Sequence, residues 1–447
     1  MLLLRRGPRP HNFPVISRRF ASTLRLSGVR VGKVQLLVGA SAVGLLAIGT
    51  GILLTDRATH HYAQDLLKRR ATVVDPDVLQ WEWNADNDEW PMDDELSGNI
   101  KNAIREAWIL SHRLPDSSPS LESGENVVDA MYQQSETALR SLISLVEAHP
   151  PPNPSTLVAL LIQHAEALGK LGQNGLVQSK DCYERIWEMQ GGVGIQAART
   201  AYKLGNIFGR LGQKDALNWW TRSLQLAGGN APFKDGVPIT PPSTPAAQRI
   251  VALTLVSLSA HYATTNQLKA ARKIELSGLE ILRSIETPQS LASTTPAQSL
   301  HYLTLLQRSA ILSSHLAEVS YAQRRPPSES LQHLENAAHS SERVAFALVG
   351  TPIRDEMTPS TIESLLPQYA DNDHLQLPAR RLLGEAQRSA ALSWNLMGRL
   401  TEKMDSALAL SYYTRALSWA GNLNAPSSTM MREEWSDIQK NYQRLSR

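Results

Sequence analysis

Three polar residues at helical spacing form the constellation in this sequence that suggests binding of an anion. Arg199 and Lys203 stand four positions apart, and Asn206 follows one turn later. This spacing puts all three on one face of a helix, where they could donate hydrogen bonds to a carboxylate of a partner protein. A polar helix face is also an ordinary solvated surface, and both interpretations stay open.

Recognised catalytic and metal-binding motifs are missing from the sequence. It contains no Walker loop, no His-Glu-x-x-His, no Gly-x-Ser-x-Gly and no Cys-x-x-Cys. The stretch Gly192-Val-Gly194 follows helix-like sequence rather than a strand, which favours an inter-helix loop over a phosphate site. Cys182 is the only cysteine, so an intrachain disulfide is excluded and a core role is the natural interpretation. We therefore predict a protein that is not an enzyme and that uses no cofactor and no metal.

The acidic stretch Asp75–Glu95 is a second candidate binding segment. It carries nine acidic residues and no basic ones, together with Trp81, Trp83 and Trp90. Tryptophan is favoured at binding hot spots, so these side chains could contact a partner protein. The alternative is a spacer whose tryptophans dock onto the first folded repeat.

Charge is distributed unevenly along the 447 residues. Residues 1–33 contain eight basic residues and no acidic ones, although the whole chain has a net charge of only +3. The remainder is therefore mildly acidic, and the basic isoelectric point does not indicate nucleic-acid binding. We expect no nucleic-acid partner.

The basic N-terminal stretch has the composition of a mitochondrial transit peptide, rich in arginine and free of acidic residues. The run Arg18-Arg19-Phe20-Ala21-Ser22 resembles the matrix processing site. That resemblance implies cleavage between Phe20 and Ala21. A disordered basic tail on a cytosolic protein is the alternative.

A single membrane-spanning helix is predicted over Val34–Thr55, which contains no charged residue. At about 1.5 Å per residue, this segment can cross a hydrocarbon core about 30 Å thick. Basic residues precede it and mixed charges follow, so the positive-inside rule places the N-terminus in the matrix and the rest in the intermembrane space. The predicted location is therefore the mitochondrial inner membrane. An outer-membrane anchor with a cytosolic domain is the alternative.

Small residues line one side of this predicted span. A stripe of this kind lets a second membrane helix pack closely, although ordinary span composition also explains it. The stripe consists of Ala40, Gly44, Ala47 and Gly51.

The rest of the chain has apolar residues at helical spacing and no convincing strand. This pattern predicts an all-α fold in which a divergent solenoid of about five or six helix hairpins follows the transmembrane helix. Residues Glu95–Ala148 would form an irregular first pair. Breaker-rich segments predict loops at Pro150–Pro154, Gly228–Pro245, Thr287–Pro296, Pro326–Pro327 and Gly350–Pro359.

One segment of the solenoid repeats without a gap, since Ala216–Ala227 aligns with Ala409–Ala420. Together with the helix before it, the first copy resembles the tetratricopeptide (TPR) family. In such repeats, glycine and alanine let the two helices approach closely, and aromatic residues and leucine fill the space between hairpins. The residues at signature positions are Leu204, Gly205, Phe208, Gly212, Ala216, Trp220, Ser223 and Leu224.

Weaker copies can be drawn through Leu168–Met189, Leu258–Leu282, Leu306–Ala338 and Trp394–Ala420. In TPR domains that grip chaperone C-termini, residues placed like Arg199, Lys203 and Asn206 form part of a carboxylate clamp. The next repeat has no matching residues at the equivalent positions. The resemblance therefore implies at most an incomplete clamp.

Four segments are predicted: a presequence or matrix segment at 1–33, a transmembrane helix at 34–55, an acidic linker at 56–95 and a TPR-like domain at 96–447. This layout resembles a fungal family, the TPR-containing adaptor of the mitochondrial i-AAA protease. The resemblance implies protein quality control, with protease subunits, a companion adaptor and unfolded substrate polypeptides as partners. A mitochondrial import receptor and a respiratory-complex assembly factor are the alternatives.

Overall fold

A computed structural model describes Ile100, Ile104 and residues 125–148, 154–229, 232–234, 236–288, 291–350, 364–372, 375–421 and 431–446. All of them belong to the unit formed by residues 73–447. Within these residues the fold is built almost entirely from thirteen α-helices. In chain order they are α1 (Glu125–Ala148), α2 (Ser155–Leu168), α3 (Gly172–Met189), α4 (Gly194–Arg210), α5 (Ala216–Gly228), α6 (Pro245–Thr264), α7 (Leu268–Ser284), α8 (Pro296–Ala322), α9 (Pro327–Val349), α10 (Pro367–Ala370), α11 (Gln376–Thr401), α12 (Ser406–Ala420) and α13 (Arg432–Leu445).

Consecutive helices pack as hairpins, and each hairpin packs on the next. The hairpins are α2–α3, α4–α5, α6–α7, α8–α9 and α11–α12, with α1 and α13 against the outer ones. The first helices of successive hairpins also touch, α4 against α6, α6 against α8 and α8 against α11. This is solenoid-like packing, so the predicted all-helical solenoid is confirmed for the described residues.

Two glycines explain how closely the helices of a hairpin approach. A Cβ atom added to Gly205 of α4 would lie 2.5 Å from Cδ1 of Trp220 in α5. In the α11–α12 hairpin, a Cβ atom on Gly398 would lie 2.5 Å from Cε1 of Tyr413. Both distances are shorter than van der Waals contact. Each aromatic ring therefore occupies space that exists only because the facing residue is glycine.

Helix starts follow local sequence signals. Thr244 caps α6 by accepting a hydrogen bond from the Ala247 amide, and Pro245 takes the first helical position. Thr295 caps α8 in the same way, again followed by proline. Both combinations satisfy an amide that the helix itself leaves unbonded and preset the first turn.

A small β-hairpin interrupts the helices. β1 (Phe233–Lys234) pairs antiparallel with β2 (Val237–Pro238) inside the long loop between α5 and α6. The Phe233 ring packs over Gly228, where a Cβ atom would lie 2.9 Å from the ring. The expectation of a chain without strands is therefore wrong at this loop, because two residues per strand are too few to produce an alternating pattern.

A large apolar core lies in the second half of the unit. It joins α8, α9, α11, α12 and α13 through residues such as Leu300, Phe346, Trp394 and Trp419. A smaller core joins α6, α7 and α8 around Leu312. Each of these two cores therefore spans more than one hairpin instead of lying within a single one.

No helix within the described ranges combines the length and the apolar character needed to cross a bilayer. The predicted span Val34–Thr55, with its small-residue stripe, lies outside those ranges. The same holds for the basic leader and for the acidic segment with Trp81, Trp83 and Trp90. These three expectations therefore stay predictions.

Candidate functional site

Two of the three predicted anion-binding residues have partners inside the fold. Lys203 Nζ of α4 lies 2.5 Å from Oε1 of Glu166 in α2, and the Tyr183 hydroxyl donates to the same oxygen over 2.7 Å. Asn206 accepts a hydrogen bond from the indole nitrogen of Trp220 over 3.0 Å. Lys203 thus links two hairpins. Asn206 accepts the hydrogen bond of the Trp220 indole N–H, which lies within the same hairpin.

Arg199, the third predicted residue, lies near a residue that sequence reasoning missed. Burial lowers the pKa of Arg249 in α6, and the positive charge of Arg199 adds to that shift. The structure therefore brings together Arg199 and Arg249, one from each of two adjacent hairpins. Burial raises the pKa of Tyr183, and the positive charges of Lys203 and Arg199 both oppose that shift, so these two cations share a neighbour. Asn206 bonds to Trp220 instead, and the three predicted residues do not all converge.

Arg249 lines a cavity of about 520 Å³ where four segments meet. The walls are the loop before α6, the first turns of α6, the end of α7 and the first turns of α8. Residues representing these four walls are Pro242, Gln248, Ile285 and Tyr302. Because α6 and α8 both start here, their N-terminal ends border the cavity, and each carries a partial positive charge.

A chain of directed hydrogen bonds holds the cavity wall. Arg249 Nη1 lies 3.1 Å from Nδ1 of His301, and arginine can only donate, so this imidazole nitrogen accepts. His301 Nε2 therefore carries the hydrogen and donates to Oε1 of Gln248 over 2.9 Å. The Gln248 amide in turn donates to the carbonyl oxygen of Pro242 over 2.8 Å. The chain ties α8 to α6 and α6 to the proline-rich loop.

Electrostatics give the cavity a positive field at neutral pH. Burial, together with the charge of Arg199, lowers the pKa of Arg249 to about 9, so the guanidinium stays protonated. Burial and the Arg249 charge lower the pKa of His301 to about 3, so the imidazole stays neutral. The cavity thus holds a buried cation next to a neutral hydrogen-bonding ring, an arrangement that favours an anionic ligand.

A second polar cluster is buried where α6, α7 and α8 meet. Ser259 donates to Oε1 of Glu275 over 2.8 Å and lies 2.9 Å from Nδ1 of His315. Burial raises the pKa of Glu275 to about 8 and lowers that of His315 to about 4. The Ser259 and Glu275 side chains are fully buried, so this cluster bears on stability rather than on ligand binding.

A third polar cluster surrounds Glu342 of α9. Its carboxylate accepts hydrogen bonds from the indole nitrogens of Trp394 and Trp419 over 2.7 and 2.8 Å. The Arg415 guanidinium donates to both of its oxygens and also lies over the Trp394 ring. Glu342 is 4 % exposed and well satisfied, so its role is to join α9 to the hairpin α11–α12.

The lone cysteine forms a trio that has the residue types of a nucleophilic site. Cys182 Sγ lies 3.7 Å from Nδ1 of His164, whose Nε2 lies 3.0 Å from Glu136. Burial raises the pKa of the Cys182 thiol to about 11. A nucleophilic cysteine needs the opposite shift, because the thiolate is the reactive species. This trio therefore does not activate Cys182.

Clusters of His, Cys, Asp and Glu that could hold a metal ion do not occur in the described part of the chain. Among these polar clusters, the basic cavity around Arg249 is the candidate functional site.

The chain matches no protein-family model, and no curated protein matches it either. The resemblances drawn from the sequence therefore rest on the quoted residues and on the packing described above. The coarse architecture, a helical solenoid, stands on the structure alone.

The residues that the sequence analysis missed are Arg249, His301 and Gln248. Arg249 and His301 are separated by 52 positions and carry no motif. One weak signal was available, because prolines cluster just before Arg249. Proline favours the first position of a helix, and a helix N-terminus favours anions.

Proposed function

We propose that this chain is a membrane-anchored adaptor of mitochondria that binds other polypeptides through its helical-repeat domain. The observation that carries the proposal is the continuous row formed by α4, α6, α8 and α11. Such a row presents side chains from successive hairpins on one face, which suits recognition of an extended or partly unfolded chain.

The finer part of the proposal comes from the sequence. The basic leader, the predicted span Val34–Thr55 and the TPR-like pattern around Gly205 favour an inner-membrane protein with its domain in the intermembrane space. There it would recruit unfolded substrates to an AAA protease, together with a companion adaptor. Arg199 supports this role because it adds positive charge on α4, close to the cavity at the start of α6.

Affinity purification tests the partner. The tagged full-length chain, extracted from mitochondria in a mild detergent, is expected to bring AAA-protease subunits and a second adaptor with it. Purification with respiratory-complex subunits instead would support an assembly factor and overturn the protease role.

Protease protection tests the location. In mitochondria with an intact outer membrane, the C-terminal domain is expected to resist added protease and to be digested once that membrane is ruptured. Digestion without rupture would favour an import receptor facing the cytosol and would overturn the proposed topology.

A charge-reversal pair tests the surface. Arg199→Glu is expected to reduce capture of unfolded substrate polypeptides, whereas Arg343→Glu on the exposed surface of α9 is expected to leave it unchanged. Equal capture by both variants would show that α4 is not part of the binding face.

A further inference from the structure

The cavity around Arg249 concentrates positive charge inside the fold. Arg249 is 7 % exposed and forms part of the wall. The N-terminal ends of α6 and α8 add partial positive charge, and Arg199 lies near enough to act on the same guanidinium. Arg249 and the two helix N-termini therefore give positive potential at one cavity, and Arg199 adds to it from outside the lining, so a bound anion would be stabilised.

The rest of the cavity wall suits an anionic group carried on an aliphatic side chain. Pro241, Pro242, Ile285 and Ala297 contribute apolar surface, and the Tyr302 ring contributes a broad face. The volume of about 520 Å³ is large enough for an amino-acid side chain and some of its backbone. A free inorganic ion would leave this apolar surface uncovered.

The lining limits how much negative charge the cavity can hold. Glu286 lines the cavity and is exposed there, so it repels an incoming anion. His301 is neutral and adds hydrogen bonding without charge. For a doubly charged phosphate group both the attraction by Arg249 and the repulsion by Glu286 double, but the cost of removing the anion from water rises more steeply with its charge. In a site with this much apolar wall, that cost favours the single carboxylate.

We propose that this cavity binds the carboxylate of an acidic side chain in a partner polypeptide, with Arg249 as the residue that binds the anion. The proposal rests on the polypeptide-binding function proposed above and names the chemistry that this site would recognise. The ligand enters between the starts of α6 and α8, at the ends of the helices.

Binding of short peptides to the purified full-length chain in detergent tests this site. Ligand-observed NMR would compare acetyl-Ala-Glu-Ala-amide with acetyl-Ala-Gln-Ala-amide, which differ only in the side-chain charge. The glutamate peptide is expected to bind at least about tenfold more tightly, because a charge-assisted hydrogen bond is lost in the glutamine peptide. Equal binding of the two peptides would overturn the proposal.

Two variants with the same charge change locate the effect. Arg249→Gln is expected to weaken binding of the glutamate peptide by at least about tenfold. Arg343→Gln, on the exposed surface of α9, is expected to bind like the wild type. Wild-type affinity in Arg249→Gln would exclude this residue as the binding group.

Two further probes identify the anion. Acetyl-Ala-Gln-Ala with a free C-terminal carboxylate tests whether a chain end serves instead of a side chain, and tighter binding of that peptide would overturn the side-chain assignment. Inorganic phosphate tests the class of anion, and tighter binding of phosphate than of the glutamate peptide would overturn the carboxylate assignment.

If circular dichroism shows that Arg249→Gln does not fold, chemical modification of the wild type tests the proposal instead. Phenylglyoxal modifies arginine side chains, and the glutamate peptide is expected to protect Arg249 but not Arg343. Absence of this protection would overturn the proposal without any substitution.

The site and the adaptor function can fail separately. Peptide binding that depends on Arg249, with no polypeptide partner recovered from mitochondria, would overturn the adaptor function and support the site. Equal recovery of polypeptide partners with the wild type and with a folded Arg249→Gln variant would support the adaptor function and overturn the site.

Discussion

The hairpins α4–α5 and α11–α12 follow the same sequence pattern and yet connect differently to their neighbours. Both place a glycine against an aromatic ring, Gly205 against Trp220 and Gly398 against Tyr413. In the first hairpin the ring donates its hydrogen bond to Asn206 of its own hairpin. In the second, Tyr413 donates to Glu402, which also pairs with an arginine of α13.

The arginine at the same position in each hairpin shows the difference most clearly. The Arg222 guanidinium lies 4.7 Å from the centre of the Trp187 ring, which belongs to the preceding hairpin. The Arg415 guanidinium lies 4.3 Å from the Trp394 ring of its own hairpin and also pairs with Glu342. The local pattern therefore sets how a hairpin closes, and the neighbouring helices decide what its polar groups bind.

The hairpin α6–α7 between them shows what happens when the aromatic ring is absent. Ser259 stands at the position of Gly205, and Glu275 faces it as Trp220 faces Gly205. The smaller partner leaves room for a side chain, and Ser259 uses it to reach Glu275 and His315. The glycine is thus needed only where the facing residue is a large ring.

The largest expected effect on stability is a difference between the polar contacts of the two aromatic hairpins. Glu342→Ala leaves Arg415 and two buried indole N–H groups without their acceptor, and is expected to lower the free energy of unfolding by about 3 kcal/mol. Arg222→Ala, in the other hairpin, is expected to cost less than about 1 kcal/mol. Urea unfolding followed by circular dichroism measures both values, and equal losses would refute the difference between the hairpins.

The second prediction concerns what the hairpins share. Gly205→Ala and Gly398→Ala each push a methyl group into an aromatic ring, and each is expected to cost about 2 kcal/mol. Gly384→Ala in α11 is the control, because nothing lies within 4 Å of the added carbon. That control is expected to stabilise by up to about 1 kcal/mol through helix propensity. Thermal unfolding would contradict the common packing rule if all three variants behaved alike.

The third prediction uses the middle hairpin and pH. The pKa of Glu275 is about 8 in the folded chain, above the ordinary value of 4.5, because burial disfavours the charged form. Its contribution to stability is therefore fully present below pH 4.5 and is lost as pH rises toward 8. Between pH 5.5 and 7.5, Glu275 is expected to lower the free energy of unfolding of the wild type by about 1.4 kcal/mol per pH unit. Glu275→Gln is expected to abolish this fall.

Urea unfolding across this pH range, in wild type and variant, gives the two slopes for that comparison. Glu280→Gln, on the exposed face of the same helix α7, is the control and is expected to keep the wild-type slope. A slope in Glu275→Gln equal to that of the wild type would show that Glu275 is not the group responsible.

The smallest expected effect concerns the hydrogen bond inside the first hairpin. Asn206→Ala leaves the Trp220 indole nitrogen without its acceptor and is expected to cost about 1 kcal/mol. Asn218→Ala, at an exposed position of α5, is expected to change stability by less than about 0.5 kcal/mol. If both asparagines prove neutral in chemical unfolding, the indole bond does not contribute to closure of the hairpin.

The sequence predicted much of the helical architecture because the relevant signals are local. Apolar residues at helical spacing indicated the helices, and breaker-rich segments such as Gly228–Pro245 indicated the loops between them. The close approach of two helices at Gly205 was also predicted. The aromatic residues were expected between hairpins, whereas Trp220 packs both on Gly205 of its own hairpin and against His261 of the next. The two short strands were missed because a pair of residues has no detectable period.

The candidate site was predictable only in part. The sequence indicated Arg199, Lys203 and Asn206 as candidates because they share one helix face. It could not show that Glu166 holds Lys203 or that Trp220 holds Asn206, because side-chain partners depend on how adjacent helices pack. For the same reason it missed Arg249, whose neighbours come from two other hairpins.

By itself, then, the sequence determined that this protein is a stack of helix hairpins, because helix periodicity and close packing within a hairpin depend on residues near one another in the chain. Only the tertiary structure decided which polar groups meet. Arg249 and His301 are 52 positions apart, and Glu342 and Trp419 are 77 positions apart. The packing of each hairpin on the next buries Arg249 beside its cavity and brings Glu342 to two tryptophan side chains.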